Sequence, residues 1–261
     1  MRFDVGQALP PTNCRQAEAP APPFDRVAAR YDALWTTTAI GRAQRNLVWC
    51  DMDPLFQPGE RILDIGCGTG EDAAHFAARG VAVYATDASP AMIQVAQARG
   101  GFTAAVCGAE DLAQIGGTFD GAISNFGALN CVEDLPAVAS SLAGLVRPGG
   151  HVAICMLGRS CAWETLYYAV RLQWSKAFRR WNKVAYRGIT VRYPTVSQIR
   201  AAIAPDFEVR RWTGIGLFVP PSYVKLPSAL VGALAACDRF LARLPLLRGM
   251  ADHRLFVLVR K

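Results

Sequence analysis

Residues 64–72 read Asp-Ile-Gly-Cys-Gly-Thr-Gly-Glu-Asp: an apolar strand ending in a carboxylate, then alternate glycines opening a helix. Glycines there let the backbone turn sharply and approach a ligand with no Cβ between. Asp87, 21 residues after Gly66, ends the next apolar run. An ionised carboxylate only accepts hydrogen bonds, which suits two ribose hydroxyls that both donate. Loop, helix and acid together indicate an adenosine-type ligand. The loop is G-x-G-x-G, not the G-x-G-x-x-G of dinucleotide sites, and Glu71 and Asp72 crowd the helix start where a pyrophosphate would sit. Those carboxylates disfavour an anionic nicotinamide cofactor. A sulfonium bearing an α-amino group would not be repelled.

The elements that position these residues form a rhythm. RILDIG, VAVYATD, FTAAVCG, FDGAISN and HVAICML read as strands, with helices EDAAHFAARG, SPAMIQVAQARGG and LPAVASSLAGLV among them. Ser89 is the expected N-cap of the second helix, with Pro90 at its first position. Such alternation predicts a doubly wound, mostly parallel seven-stranded α/β sheet with helices on both faces, completed by FEVRRWTGIG and RLFVLVRK. The predicted organisation is a flexible arm over 1–23, where five prolines fall, and a core over 24–158 that begins with a helical lid. A basic aromatic cap, read as helical, follows over 159–193, and 194–261 complete the sheet with a substrate-side loop.

ILDIGCGTG, VYATDASPAMIQVAQ, FDGAISNFGALNCVEDL and LVRPGGHVAIC occur in that order. The series resembles the motifs of class I S-adenosylmethionine-dependent methyltransferases of the small-molecule type, over about residues 24–157. The resemblance implies S-adenosyl-L-methionine as cofactor and S-adenosyl-L-homocysteine as product. It places Asp64, Gly66, Cys67 and Gly68 along the methionine part and Asp87 on the ribose. Ala88, Met92, Ala109 and Glu110 fall toward the adenine, Asn125 and Phe126 beside the reactive methyl, and Tyr31 over the carboxylate end. Gly108 stands where the family usually has a carboxylate, so Glu110 or Asp111 would have to replace it. The resemblance further implies methyl transfer to an O or N atom, with C-methylation also open, of a small metabolite such as a natural product or quinone-like intermediate; the many aromatics lead to the expectation that it is planar or lipophilic. Tyr31, Asn130, Trp163, Tyr167 and Tyr168 are the expected acceptor-side residues. A carrier-bound or macromolecular acceptor and a non-catalytic scaffold are the alternatives.

No catalytic base is assigned. His75 lies on a packed helix, while His151 and His253 both begin strands and are expected at the end away from the site. Ser124-Asn125-Phe126-Gly127 lacks the Asn-Pro-Pro-aromatic motif of nucleic-acid amino-methyltransferases, so nucleic acid is not an expected partner. Charge is divided sharply: residues 1–155 carry a net −6 and residues 156–261 a net +13, for the formal +7. Eight bases face the single Glu164 between Arg159 and Arg192, interleaved with aromatics. That pattern fits a lid, an anionic acceptor, a lipid surface or an acidic carrier protein. The eight cysteines form no CxxC and no zinc spacing, so no metal is expected. No apolar run reaches the ~18 residues of a membrane span, and no leader pattern begins the chain. A cytoplasmic monomer or homodimer acting on a small molecule is the expectation.

Overall fold

The computed structural model describes residues 24–181, 184–186 and 189–261. The arm expected over 1–23, and Lys183 and Arg187 of the cap, lie outside the described residues.

After a short turn, α1 (Ala28–Tyr31) and α2 (Ala39–Met52) form the lid. The core then runs β1 (Arg61–Ile65), α3 (Glu71–Ala78), β2 (Ala82–Asp87), α4 (Pro90–Arg99), β3 (Thr103–Val106), β4 (Phe119–Ser124), α5 (Leu135–Leu145) and β5 (Val146–Leu157). The cap holds α6 (Ala162–Ala169), α7 (Trp174–Ala177) and a hairpin of β6 (Val184–Tyr186) and β7 (Ile189–Val191). Then come α8 (Val196–Ile203), β8 (Phe207–Ile215), α9 (Ser228–Leu241) and β9 (His253–Arg260).

The seven-stranded sheet has the order β3-β2-β1-β4-β5-β9-β8. Strands β1 to β5 are parallel, while β9 is antiparallel to both β5 and β8. Alternate residues feed two cores. Leu63 and Ile65 pack with α5 and α8, and Ile62 packs with α2 and α3. Helix starts follow the expected local chemistry. Ser89 Oγ accepts from Met92 N–H (3.1 Å), and Thr195 with Gln198 closes a capping box. The cap differs from the sequence expectation in containing the β6–β7 hairpin as well as helices. A further helix, α9, sits between the last two strands and packs on α2. No helix among the described residues is long and apolar enough to cross a membrane.

The cap is tied to the sheet by buried charge. Arg180 donates to Glu164 Oε2 (3.0 Å) and to Asp252 Oδ1 (2.6 Å), and Arg179 donates to both Glu164 oxygens. Burial alone would raise the Glu164 and Asp252 carboxyls. At Glu164 the arginine hydrogen bonds outweigh it, and at Asp252 the charge of His253 and the contact with Arg180 do, so both titrate below their ordinary values. Removing one member leaves a buried charge unpaired, which costs about 3–5 kcal/mol. Glu164→Ala is therefore expected to lower the melting temperature by roughly 6–20 °C in a calorimetric scan. Because both carboxyls are shifted down, their contribution is complete above about pH 4 and drains as pH falls through the folded values. An unchanged melting temperature would show that the cap is held by other contacts.

Candidate functional site

The carboxyl ends of β1, β2 and β4 converge on the glycine loop. Gly66 has φ +69°, and a Cβ there would lie 2.3 Å from that of Ala128. Gly68 has φ +55° and open space where its Cβ would point, so this glycine leaves room on the ligand side. Asp87 Oδ2 accepts from Gly68 N–H (2.9 Å) and Oδ1 from Ser89 N–H (2.8 Å). Each oxygen retains acceptor capacity toward the cleft. Burial, only partly offset by those two N–H groups, holds the Asp87 carboxyl above its ordinary value.

A cavity of about 110 Å³ opens here, lined by Tyr31, Gly66, Cys67, Gly68, Asp87, Met92, Asn125 and Phe126 among others. It is smaller than the roughly 300–1,000 Å³ of whole-ligand pockets, so it encloses part of a cofactor and leaves the rest in the open cleft. Asp64 lies beneath the loop and off the cavity wall. It is buried, its Oδ2 has no partner, and burial and the charge of Asp72 push its carboxyl well above the ordinary range. Ala88, Ala109 and Glu110 do not line the cavity. A Cβ on Gly108 would sit 3.4 Å from Asp111 Oδ2 and 3.9 Å from Ala88. Glu110 Oε1 accepts from Glu133 N–H (2.5 Å). Asp111, then, is the carboxylate beside the Gly108 gap.

A second cavity, about 440 Å³, adjoins the first at Phe126. Phe24, Tyr31 and Phe126 line both cavities. Phe126 is a non-glycine residue at φ +48°, its N–H held by Asn125 Oδ1 (3.0 Å). Its ring meets Trp35 edge-on at 4.5 Å and His253 at 5.4 Å. Leu34, Trp35, Val191, Tyr193 and Tyr223 make the second chamber largely aromatic and apolar; Gln44, Arg179, Asp252 and His253 supply polar groups. Burial pushes the Tyr31 phenol up to about 12, so it remains a hydroxyl. A further cavity, about 660 Å³, is lined by Arg180, Tyr193 and residues of α5 and α8 and touches neither the loop nor Phe126.

The other expected acceptor residues lie outside this chamber. Asn130 is buried, donating to the Leu157 and Arg192 carbonyls and accepting from Leu157 N–H. Trp163 donates to the Phe218 carbonyl (2.8 Å). Tyr167 and Tyr168 cluster with Tyr223, and Tyr223 is the member on the chamber wall.

Two sequence readings are corrected. His253 faces the site end of the sheet: β9 is antiparallel, so its first residue pairs with Leu157, the last of β5. Glu71 and Asp72 are not free to repel an anion. Glu71 pairs with Arg99 (2.5 Å), and Asp72 is held by Arg45, Trp49 Nε1 (2.7 Å) and Asn125 Nδ2 (3.1 Å). Sequence reasoning also missed Arg45 as a wall of the cofactor cavity, its guanidinium 4.8 Å from the Trp35 ring and 4.9 Å from Phe126. The i,i+4 spacing of Arg45 and Trp49 was its one local signal. His75 stacks on Trp49 at 3.8 Å and contacts Asp53 (2.7 Å), a structural place as expected.

A family profile described as a methyltransferase domain matches residues 42–204, more than half of the chain. The chain belongs to this family. Its fold is that of the S-adenosylmethionine-dependent methyltransferases, and S-adenosylmethionine is the cofactor that the loop and Asp87 fit. A demethylmenaquinone methyltransferase from Clavibacter sepedonicus is 34% identical over 51% of this chain and 55% of its own length. One from Beutenbergia cavernae is 36% identical over 50% and 55%. The chain thus spans about half the length of the curated relatives it matches. The solved structure of an S-adenosylmethionine-dependent methyltransferase from Thermotoga maritima superposes with a TM-score of 0.61 over 92% of this chain and 98% of that one; at 16% identity the likeness is one of fold.

A charge-assisted hydrogen bond contributes about 1.5–3 kcal/mol. Asp87→Ala is expected to weaken S-adenosylmethionine binding roughly 10- to 150-fold by calorimetry. Binding at wild-type strength would place the ribose elsewhere.

Proposed function

We propose that this methyltransferase-family chain carries a methyl group from S-adenosylmethionine to a hydroxylated, planar and lipophilic small molecule, with His253 accepting the hydroxyl proton. The observation that carries this reading is Phe126, one ring shared by the cofactor cavity and an aromatic chamber, with His253 on the same chamber wall, edge-on to it at 5.4 Å. The relatives named demethylmenaquinone methyltransferase support an acceptor of the quinone type, taken here in its reduced form, which carries the hydroxyl. When bound, the cofactor supplies an electrophilic methyl on a good leaving group.

The chain's own part is to bind, align and keep water out. Gly66, Cys67 and Gly68 lie along the methionine portion, with Asp64 beneath them; Asp87 takes the ribose; Ala88, Met92, Ala109 and Asp111 bound the adenine side. Arg45 and the Tyr31 hydroxyl serve the carboxylate end. In the chamber, Trp35, Tyr193 and Tyr223 sandwich the acceptor ring. Burial lowers the His253 pKa, opposed by Asp252 and assisted by Arg180, so the imidazole is neutral near pH 7. Asp252 Oδ2 lies 3.5 Å from the otherwise unpartnered His253 Nδ1. That carboxylate favours the tautomer with its proton on Nδ1, leaving Nε2 to receive the acceptor's proton. The resulting phenolate is the nucleophile.

General-base catalysis contributes about 10²–10⁴-fold. His253→Ala is expected to lower kcat on a naphthoquinol by that order while S-adenosylmethionine affinity is unchanged. The acid limb of the rate profile should lie below the ordinary histidine value of about 6.5, with activity lost as pH falls through it. Full turnover by the variant would remove His253 from the chemistry.

A further inference from the structure

Residues 170–176 are exposed without interruption where α6 turns into α7. Leu172 sits at the tip of that turn, 77% exposed and at φ +55°. The left-handed region is unfavourable for a non-glycine residue. The turn therefore holds an apolar side chain outward in a conformation that glycine would adopt more easily. Leu166, Val170, Trp174, Phe178 and Trp181 are exposed beside it. Single exposed apolar residues are ordinary, but six within sixteen residues are a patch.

The charges this segment itself exposes have one sign. Arg171, Lys176 and Arg179 lie among these residues, and Arg171 and Lys176 sit over the Tyr167 and Tyr168 rings. Glu164, the one carboxylate between Arg159 and Arg192, is buried under Arg179 and Arg180, so this segment presents no exposed acid; Glu133, which lines a cavity with Trp181, is paired with Arg192. Tryptophan and leucine flanked by cations with apolar stems form the surface that settles at a lipid–water boundary. Each cation adds attraction to an anionic leaflet, weakened as salt rises. The other side of the cap contributes Glu164, Arg179 and Arg180 to the acceptor chamber.

We propose that the α6–α7 tip docks on an anionic lipid surface, with Leu172 and Trp174 in the interface and Arg171 and Lys176 on the headgroups. This deepens the acceptor reading above and rests on it only for its purpose, passage of a lipophilic acceptor from lipid into the chamber. The test is sedimentation of the full chain with phosphatidylcholine vesicles, with and without phosphatidylglycerol. The chain should pellet with the anionic vesicles, less so as salt rises. Leu172→Asp with Trp174→Asp, and separately Arg171→Glu with Lys176→Glu, should each weaken this at least tenfold while S-adenosylmethionine binding, which reports folding, is retained. No pelleting with anionic vesicles, or wild-type pelleting by the Leu172/Trp174 variant, overturns the proposal. So does an acidic carrier protein that captures the chain while vesicles do not. Turnover of a short-chain naphthoquinol without lipid separates the two readings: its failure with vesicle binding intact removes the acceptor reading alone.

Discussion

Arg180 is buried, and a guanidinium in that place must be neutralised. Glu164 from the cap and Asp252 from the start of the last strand do so, joined by the carbonyls of Gly158 and Asp252. Well-packed apolar residues could hold such a joint as tightly. What this network adds is placement. It fixes the cap against the carboxyl edge of the sheet, gives an aromatic chamber one polar wall, and engages the carboxylate beside His253. With that charge shared by Arg180, burial dominates at the imidazole, which stays neutral. The proposed acceptor chamber and its proposed base therefore depend on one buried arginine.

What was legible in the sequence was local. Apolar runs of strand length, glycines at a strand end, Asp87 after the second strand and Ser89 before Pro90 each carry their meaning within a few residues, and the sheet follows from their alternation. What was not legible depended on distant partners. The direction of β9 is set by its pairing with β5, almost a hundred residues away, and that direction alone moves His253 from the far end to the site. Asp72 reads as a free carboxylate until Arg45 and Trp49 of the lid close on it. Tyr167 and Tyr168 stood out by composition, yet Tyr223, a single tyrosine after two prolines, is the one on the chamber wall.

The family match ends at residue 204, and Tyr223, Asp252 and His253 all lie beyond it. The matched part contains the loop, Asp87 and Phe126, the residues proposed to serve the cofactor, and also Val191 and Tyr193 of the chamber wall. The part beyond it adds Tyr223, Asp252 and His253 to that wall. Methyl transfer keeps one electrophile constant and leaves the acceptor pocket free to vary around it. Phe126, at the seam and strained at positive φ, belongs to both.

The most direct test is a crystal structure with S-adenosylhomocysteine. The account predicts the ribose on Asp87 and the sulfur against Phe126, open toward the chamber that holds His253. A sulfur directed away from Phe126, or a ribose off Asp87, would contradict it.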